Sequence, residues 1–195
     1  MNRVPKLTAK RLRSLLDYDK ASGVFTWKVA RGRVAAGAKA GTPFPGKNGH
    51  RRVRIFVDNR PHLAHRLAWL WMKGEDRDTM RIVPEQIDHR DTDGANNRWR
   101  NLRAATQAQN QRNTCARSHN HSGHKWVRTK FYQSGRVAYQ AVIGAEVFGC
   151  FATPEAAHAV ARAKARQMHG AFFNPGRNSN AARNRTASTA ALRAR

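Results

Sequence analysis

Apolar positions change period several times along the chain, and each change predicts an element. Thr8 followed by Leu12, Leu15 and Leu16 has helical spacing, with the threonine hydroxyl placed to cap the first turn. After Gly23 the period drops to two. Phe25, Trp27 and Val29 share one face of a strand, and Val53, Ile55 and Val57 alternate with Arg52, Arg54 and Phe56 in a second. Between them, residues 31–47 are rich in Gly and Ala, contain Pro43 and Pro45, and read as a loop. Asp58-Asn59-Arg60-Pro61 reads as a turn. The helical period returns from His62 to Lys73 through Leu63, Leu67, Leu70 and Trp71, and Gly74 is placed to end that helix in a left-handed cap.

Further on, Ile87-Asp88-His89 reads as the end of a short strand and Asn101-Leu102-Arg103 as its returning partner. Thr106 is placed to cap a helix running to about Asn113. The polar stretch 113–122 has no period and marks a boundary. Three strands follow, at 125–131, 137–143 and 147–151. Thr153 and Pro154 then start a helix to about His169, whose inner face is Ala157, Val160, Ala161, Ala165 and Met168. From Asn174 onward five Arg, many Ala, Asn and Ser, and no acid predict a disordered basic tail. The elements predict an α+β protein in five parts: an N-terminal region at 1–60, a core at 61–114, a linker at 115–121, a three-stranded sheet plus helix at 122–173, and the tail at 174–195.

Charge narrows the partner. The 195 residues carry 37 Lys and Arg against 12 Asp and Glu, a net +25, which suits a surface that sits beside a polyanion. An anionic membrane is the weaker partner, because there is no long apolar span and no basic helix with a broad apolar face. Nucleic acid is the expected one. Cys115 and Cys150 are too few and too far apart for a disulfide framework and suit a reducing cytoplasm, and residues 1–20 lack the apolar core of a signal peptide. Ten of the twelve acids lie at or before Asp93, and Asp88, Asp91 and Asp93 crowd one short stretch. Chemistry is expected there.

Asp88 and His89 are adjacent, Asn101 follows His89 by twelve residues and Asn110 by twenty-one. A carboxylate and an amide oxygen are hard ligands suited to Mg2+ or Mn2+. A neighbouring imidazole can take a proton from water at neutral pH. Those are the parts that phosphodiester hydrolysis needs.

Gln86-Ile87-Asp88-His89, then Asn97-Arg98-Trp99-Arg100-Asn101-Leu102-Arg103-Ala104-Ala105-Thr106, then Gln109-Asn110-Gln111-Arg112-Asn113 resemble the HNH endonucleases of the phage and intron homing type. The resemblance implies a ββα-metal finger around one divalent ion. His89 would be the general base, Asp88 and Asn110 the metal ligands, and Asn101 the residue that holds the loop and orients His89. The products would be 5′-phosphate and 3′-hydroxyl ends. Upstream, Leu15-Leu16-Asp17-Tyr18, Gly23-Val24-Phe25-Thr26-Trp27 and His65-Arg66-Leu67-Ala68-Trp69 look like the N-terminal region of such phage enzymes. Downstream, Ser122-Gly123, Tyr139-Gln140-Ala141-Val142-Ile143, Gly149-Cys150-Phe151 and Thr153-Pro154-Glu155-Ala156-Ala157 are similar to the ethylene-response-factor (Apetala-type) DNA-binding domain. Trp126 departs from that pattern where Gly is usual, and Tyr139 where Trp is frequent.

Other residues read more plainly. Asp91-Thr92-Asp93-Gly94 is a turn, His65 a packing residue that anchors its helix to the finger, and Trp69 and Trp71 core. Cys115, His119, His121 and His124 depart from the paired spacings of zinc sites. Contacts to double-stranded DNA are expected from Arg98, Arg103 and Arg112 around the motif, and from Lys125, Trp126, Arg128, Lys130 and Arg136 on the C-terminal sheet. The expected protein is a cytoplasmic monomer or homodimer. The alternative is a catalytically inactive DNA-binding regulator; an RNA-binding basic protein would explain the charge but not the spacing.

Overall fold

The computed structural model describes residues 7–46, 51–114 and 120–176. The predicted tail and the residues Cys115 and His119 lie wholly or largely outside them. The chain divides into two compact units, Met1–Asn110 and Gln111–Arg195.

The first unit opens with α1 (Ala9–Leu15), whose N-cap Thr8 accepts from the Arg11 amide at 3.1 Å. Leu16 does not prolong the helix. It starts β1 (Leu16–Asp19), which pairs antiparallel with β2 (Val24–Trp27), itself paired with β3 (Lys39–Ala40). Tyr18 lies opposite Phe25 in the register, and the rings stack at 4.6 Å. Val29 falls beyond β2 and is exposed, so only Phe25 and Trp27 of the predicted apolar face are buried. A second sheet, in the order β4-β5-β6, contains β4 (Thr42–Pro45), β5 (Arg51–Val57) and β6 (Arg60–Leu63). The predicted loop at 31–47 therefore contains β3 and β4. Pro43 and Pro45 are tolerated there because β4 is an edge strand, where a missing amide donor costs little. Asp58 and Asn59 take φ of 48° and 59°, the conformation of a tight hairpin turn between β5 and β6.

α2 (Ala64–Lys73) buries Ala64, His65, Leu67, Ala68 and Leu70 along one stripe. Its end differs from expectation. Gly74 is extended (φ −80°, ψ 139°), and a Cβ there would stand 2.8 Å from that of Ala9. The glycine is needed for close helix approach and not for a left-handed cap. Leu12, Leu16, Phe25, Ile55, Leu67 and Leu70 form the centre of one core with Ile87 and Leu102 at its margin. Burying each such side chain contributes roughly 1.5–3 kcal/mol.

β7 (Gln86–His89) and β8 (Leu102–Ala105) form an antiparallel hairpin with Asp88 opposite Arg103 and His89 opposite Leu102. α3 (Gln107–Arg112) follows. Thr106 and Gln109 cap it reciprocally: the Gln109 amide donates to the threonine hydroxyl at 3.2 Å, and the Thr106 amide to the glutamine side chain at 2.8 Å.

In the second unit β9 (Val127–Phe131), β10 (Val137–Ile143) and β11 (Glu146–Phe151) form an antiparallel sheet with β10 central. α4 (Pro154–His169) starts at the Thr153 cap with Pro154 in its first turn, and buries Ala157, Ala161 and Ala165. Small side chains let the helix lie close on a thin sheet. Met168, read as part of that inner face, is 44% exposed.

Candidate active site

The hairpin brings the candidate residues together from two directions. Successive side chains of a strand point to opposite faces. Gln86 and Asp88 therefore share one face of β7, and Ile87 and His89 the other, where Ile87 and Leu102 join the core. On the first face Arg103 donates to Asp88 Oδ2 through Nε at 2.7 Å and Nη2 at 2.5 Å. Both side chains are nearly buried. Asn110, in the second turn of α3, donates through Nδ2 to Gln86 Oε1 at 3.2 Å. That bond fixes the amide, leaves Oδ1 as its acceptor, and sets Asn110 on the same strand face as Asp88.

His89 ends β7. Its ring meets that of His65 edge to face at 5.0 Å, and its Nε2 lies 3.4 Å from Asn97 Oδ1. Burial pushes the His89 pKa below the ordinary histidine value. The Asn97 contact and the carboxylates of Asp91 and Asp88 oppose this, while Arg52 adds to it. His65 is more extreme, pushed down to about 3, chiefly by burial and then by His89, Arg52 and Arg66. It is a neutral packing ring at the base of α2.

The connection from β7 to β8 is tied across its neck. Asn101 accepts from the Asp91 amide at 3.1 Å and donates to Asp91 Oδ1 at 2.9 Å and to the Asn96 carbonyl at 2.8 Å. Asp91 also accepts from Asn96 Nδ2 and the Asp93 amide, and Asp93 from the Ala95 amide. Both carboxylates are spent on loop geometry, and Thr92, with φ 66°, makes the turn between them. Hydrogen bonds from Asn101, Asp93 and Asn96 pull the Asp91 pKa below its ordinary value against the effect of burial.

Two supports escaped the sequence reading. Asn97, 3% exposed, reaches His89 while its own Nδ2 donates to the Ala95 carbonyl at 3.1 Å. Tyr18, from the distant β1, donates to the Asn97 carbonyl at 2.6 Å. The β1–β2 turn comes so close that a Cβ on Gly23 (φ +77°) would stand 2.3 Å from the Arg98 amide nitrogen. The available signal for Asn97 was its place at the head of the motif segment Asn97–Thr106; nothing local could have signalled Tyr18.

The remaining candidates scatter. Arg98 and Arg112 are exposed. Arg103 is occupied by Asp88. In the second unit Lys125 is buried, with its ammonium donating to the carbonyls of Arg112 (2.9 Å) and Asn174 (2.8 Å). Trp126 packs on Phe173 and His169 at 5.8 and 5.7 Å. Arg128, Lys130 and Arg136 are exposed, Arg128 in a cross-strand row with Gln140 and Cys150. Of the weighed zinc set, His121 is exposed and His124 faces Glu155 at 3.6 Å and His158 at 4.8 Å between ring centroids. Among the described residues no three His, Cys, Asp or Glu side chains group as a metal site, and no helix is long and apolar enough to cross a membrane.

Residues 62–112 match the family model of the HNH endonucleases. The matched stretch runs from the strand before α2 through the hairpin to the end of α3, and over those residues the chain is similar to the HNH endonucleases, a family that acts on DNA. No curated protein and no solved structure matches the chain.

Proposed function

We propose that the chain is a divalent-metal-dependent DNA endonuclease of the HNH kind, site-selective in the manner of homing enzymes, that leaves 5′-phosphate and 3′-hydroxyl ends. One observation carries the reading: within the matched stretch, Asp88 and Asn110 share one face of the hairpin, and the buried His89, on the other face, is the last residue of the strand, where the chain turns and both faces can flank one site. The donor set fits a hard ion, since it offers one carboxylate and one amide oxygen and leaves other positions for water and phosphate. When bound, Mg2+ or Mn2+ would supply positive charge to the scissile phosphate and the departing oxygen.

The chain's own residues do the rest. Asn97 Nδ2 is committed to Ala95, so its oxygen faces His89 Nε2 and favours the tautomer with the proton on that nitrogen. His89 is then the base that takes a proton from the attacking water. Burial keeps the imidazole in the accepting form near neutral pH. Asn101 and Asp91 hold the loop behind it, and the imidazole needs no reorganisation to act. Exposed Arg128, Lys130 and Arg136 hold duplex phosphates and so position the C-terminal sheet on the duplex, where base-edge contacts choose the site.

A second reading, an inactive DNA-binding regulator, is favoured by the Asp88–Arg103 pair, which sets a guanidinium on the carboxylate that the ion would use. A supercoiled plasmid library of genomic fragments, which offers many candidate sites, incubated with the protein in Mg2+, in Mn2+ and in EDTA separates the two. The nuclease reading predicts cutting with either ion, none in EDTA, and ends that ligase rejoins directly. Plasmid bound but uncut under all three conditions would establish the regulator.

A further inference from the structure

We infer that the outer face of the β4–β5–β6 sheet and the groove beside it form a track for duplex DNA leading to the candidate active site. The inference rests on the nuclease reading for the choice of duplex DNA as occupant and for what lies at the end of the track. β5 alternates cleanly. Ile55 and Val57 point inward and are 1% exposed, whereas Arg52, Arg54 and Phe56 point outward. An outward Phe, 51% exposed, has no role in the core. Here it clamps a cation: the Arg54 guanidinium sits 5.2 Å from the Phe56 ring and 5.1 Å from Phe44 on β4.

The adjoining groove, about 740 Å³ and open to solvent, repeats the device. Arg31 lies 4.3 Å over the Trp27 ring and donates to the Phe56 carbonyl at 3.1 Å, and Lys39 lines the same wall. Among the described residues no acidic side chain lines this groove. Asp58, nearby, is held by Arg11 at 2.9 Å. At the other end of the row Arg52 comes against the catalytic loop, where a Cβ on Gly94 would stand 3.1 Å from Arg52 Cγ. Its charge is felt at both His65 and His89.

A guanidinium stacked between rings has already lost much of its conformational freedom and keeps its planar edge for phosphate oxygens. A row of such cations without carboxylates, on a chain of net charge +25, fits a continuous polyanion better than a single small anion. The aromatic content is too sparse and too interleaved with charge to insert into lipid. Duplex DNA, which the matched family acts on, is the occupant.

The test is anisotropy of a short fluorescein-labelled duplex with the full-length chain in EDTA, over a series of KCl concentrations. Arg54→Ala with Lys39→Ala should lower affinity about ten-fold and flatten the salt slope by roughly 1.8, or 0.9 per phosphate contact. Phe56→Ala should weaken binding with little change of slope. Lys73→Ala, at the far end of α2, should do neither, and thermal melts should match wild type throughout. Unchanged affinity and slope in the double variant would overturn the track, as would an equal loss from Lys73→Ala. Preference for single-stranded RNA or phosphatidylserine vesicles over the duplex would overturn the choice of occupant. The two readings fail separately: a chain that needs Arg54 to bind yet never cuts plasmid loses only the nuclease reading. One that cuts plasmid while the double variant binds normally loses only the track.

Discussion

The hairpin of the first unit and the sheet of the second both carry charge, and they treat it oppositely. In the hairpin each acid is answered at short range: Asp88 by Arg103, Asp91 by Asn101 and Asn96, Asp93 by a backbone amide. On the sheet Arg128, Lys130 and Arg136 stand exposed, and the ion pair among the described residues of that unit is His124 with Glu155. A chemical site needs groups fixed before the substrate arrives, so its polar atoms hold one another. A surface that reads phosphates needs its cations unspent. Removing a hairpin residue should therefore cost stability and chemistry together, whereas removing a sheet residue should cost binding alone.

The sharpest break of that contrast is Asp88→Ala, which leaves Arg103 as a buried cation without its partner. Loss of stability should be about 3–5 kcal/mol in urea melts, with cleavage abolished. Asp88→Asn should abolish cleavage as well but unfold less readily.

Acid comes next. His65 has its pKa pushed down to about 3, whereas the unfolded chain titrates near 6.5, so the unfolded state binds more protons between those values. Its contribution is complete above pH 6.5 and is lost as the pH falls toward 3, on the order of 5 kcal/mol in all. Melts from pH 7 down to pH 4 should show the decline, and His65→Gln should flatten it.

Asn101→Ala removes three hydrogen bonds at the loop neck and should cost roughly 2–3 kcal/mol, with cleavage falling and DNA affinity kept. Arg128→Ala with Arg136→Ala should change stability by no more than about 0.5 kcal/mol. The same pair should flatten the salt slope of binding by roughly 1.8.

The sequence was most legible where chemistry and turn geometry are local. The Thr106 cap, the Asp91–Asp93 turn and the hairpin strands all lie where residue type and spacing put them, because each is decided within a few residues. Less local features were misread. Pro43 and Pro45 argue against a strand until β4 is known to be an edge, and Gly74 suggests a left-handed cap until α1 is seen packed against it. At the candidate site, it is the resemblance to the HNH endonucleases that singles out Asp88, His89, Asn101 and Asn110. The Arg103 partner of Asp88 follows only from the hairpin register, and Tyr18 reaches Asn97 across 79 residues. Lys125 and Trp126 are expected among the DNA contacts because the first strand of the C-terminal sheet is read as starting at residue 125. Both precede β9, and Trp126 takes φ 64°, which turns the chain before the alternation begins.

The central claim is that a buried imidazole at the end of β7 does chemistry and not binding. It is tested most directly by His89→Ala, with duplex affinity and plasmid nicking measured on one preparation in Mg2+. The account predicts affinity within about two-fold of wild type and cleavage reduced by at least about a hundred-fold. Nicking at the wild-type rate by a folded His89→Ala protein would contradict it.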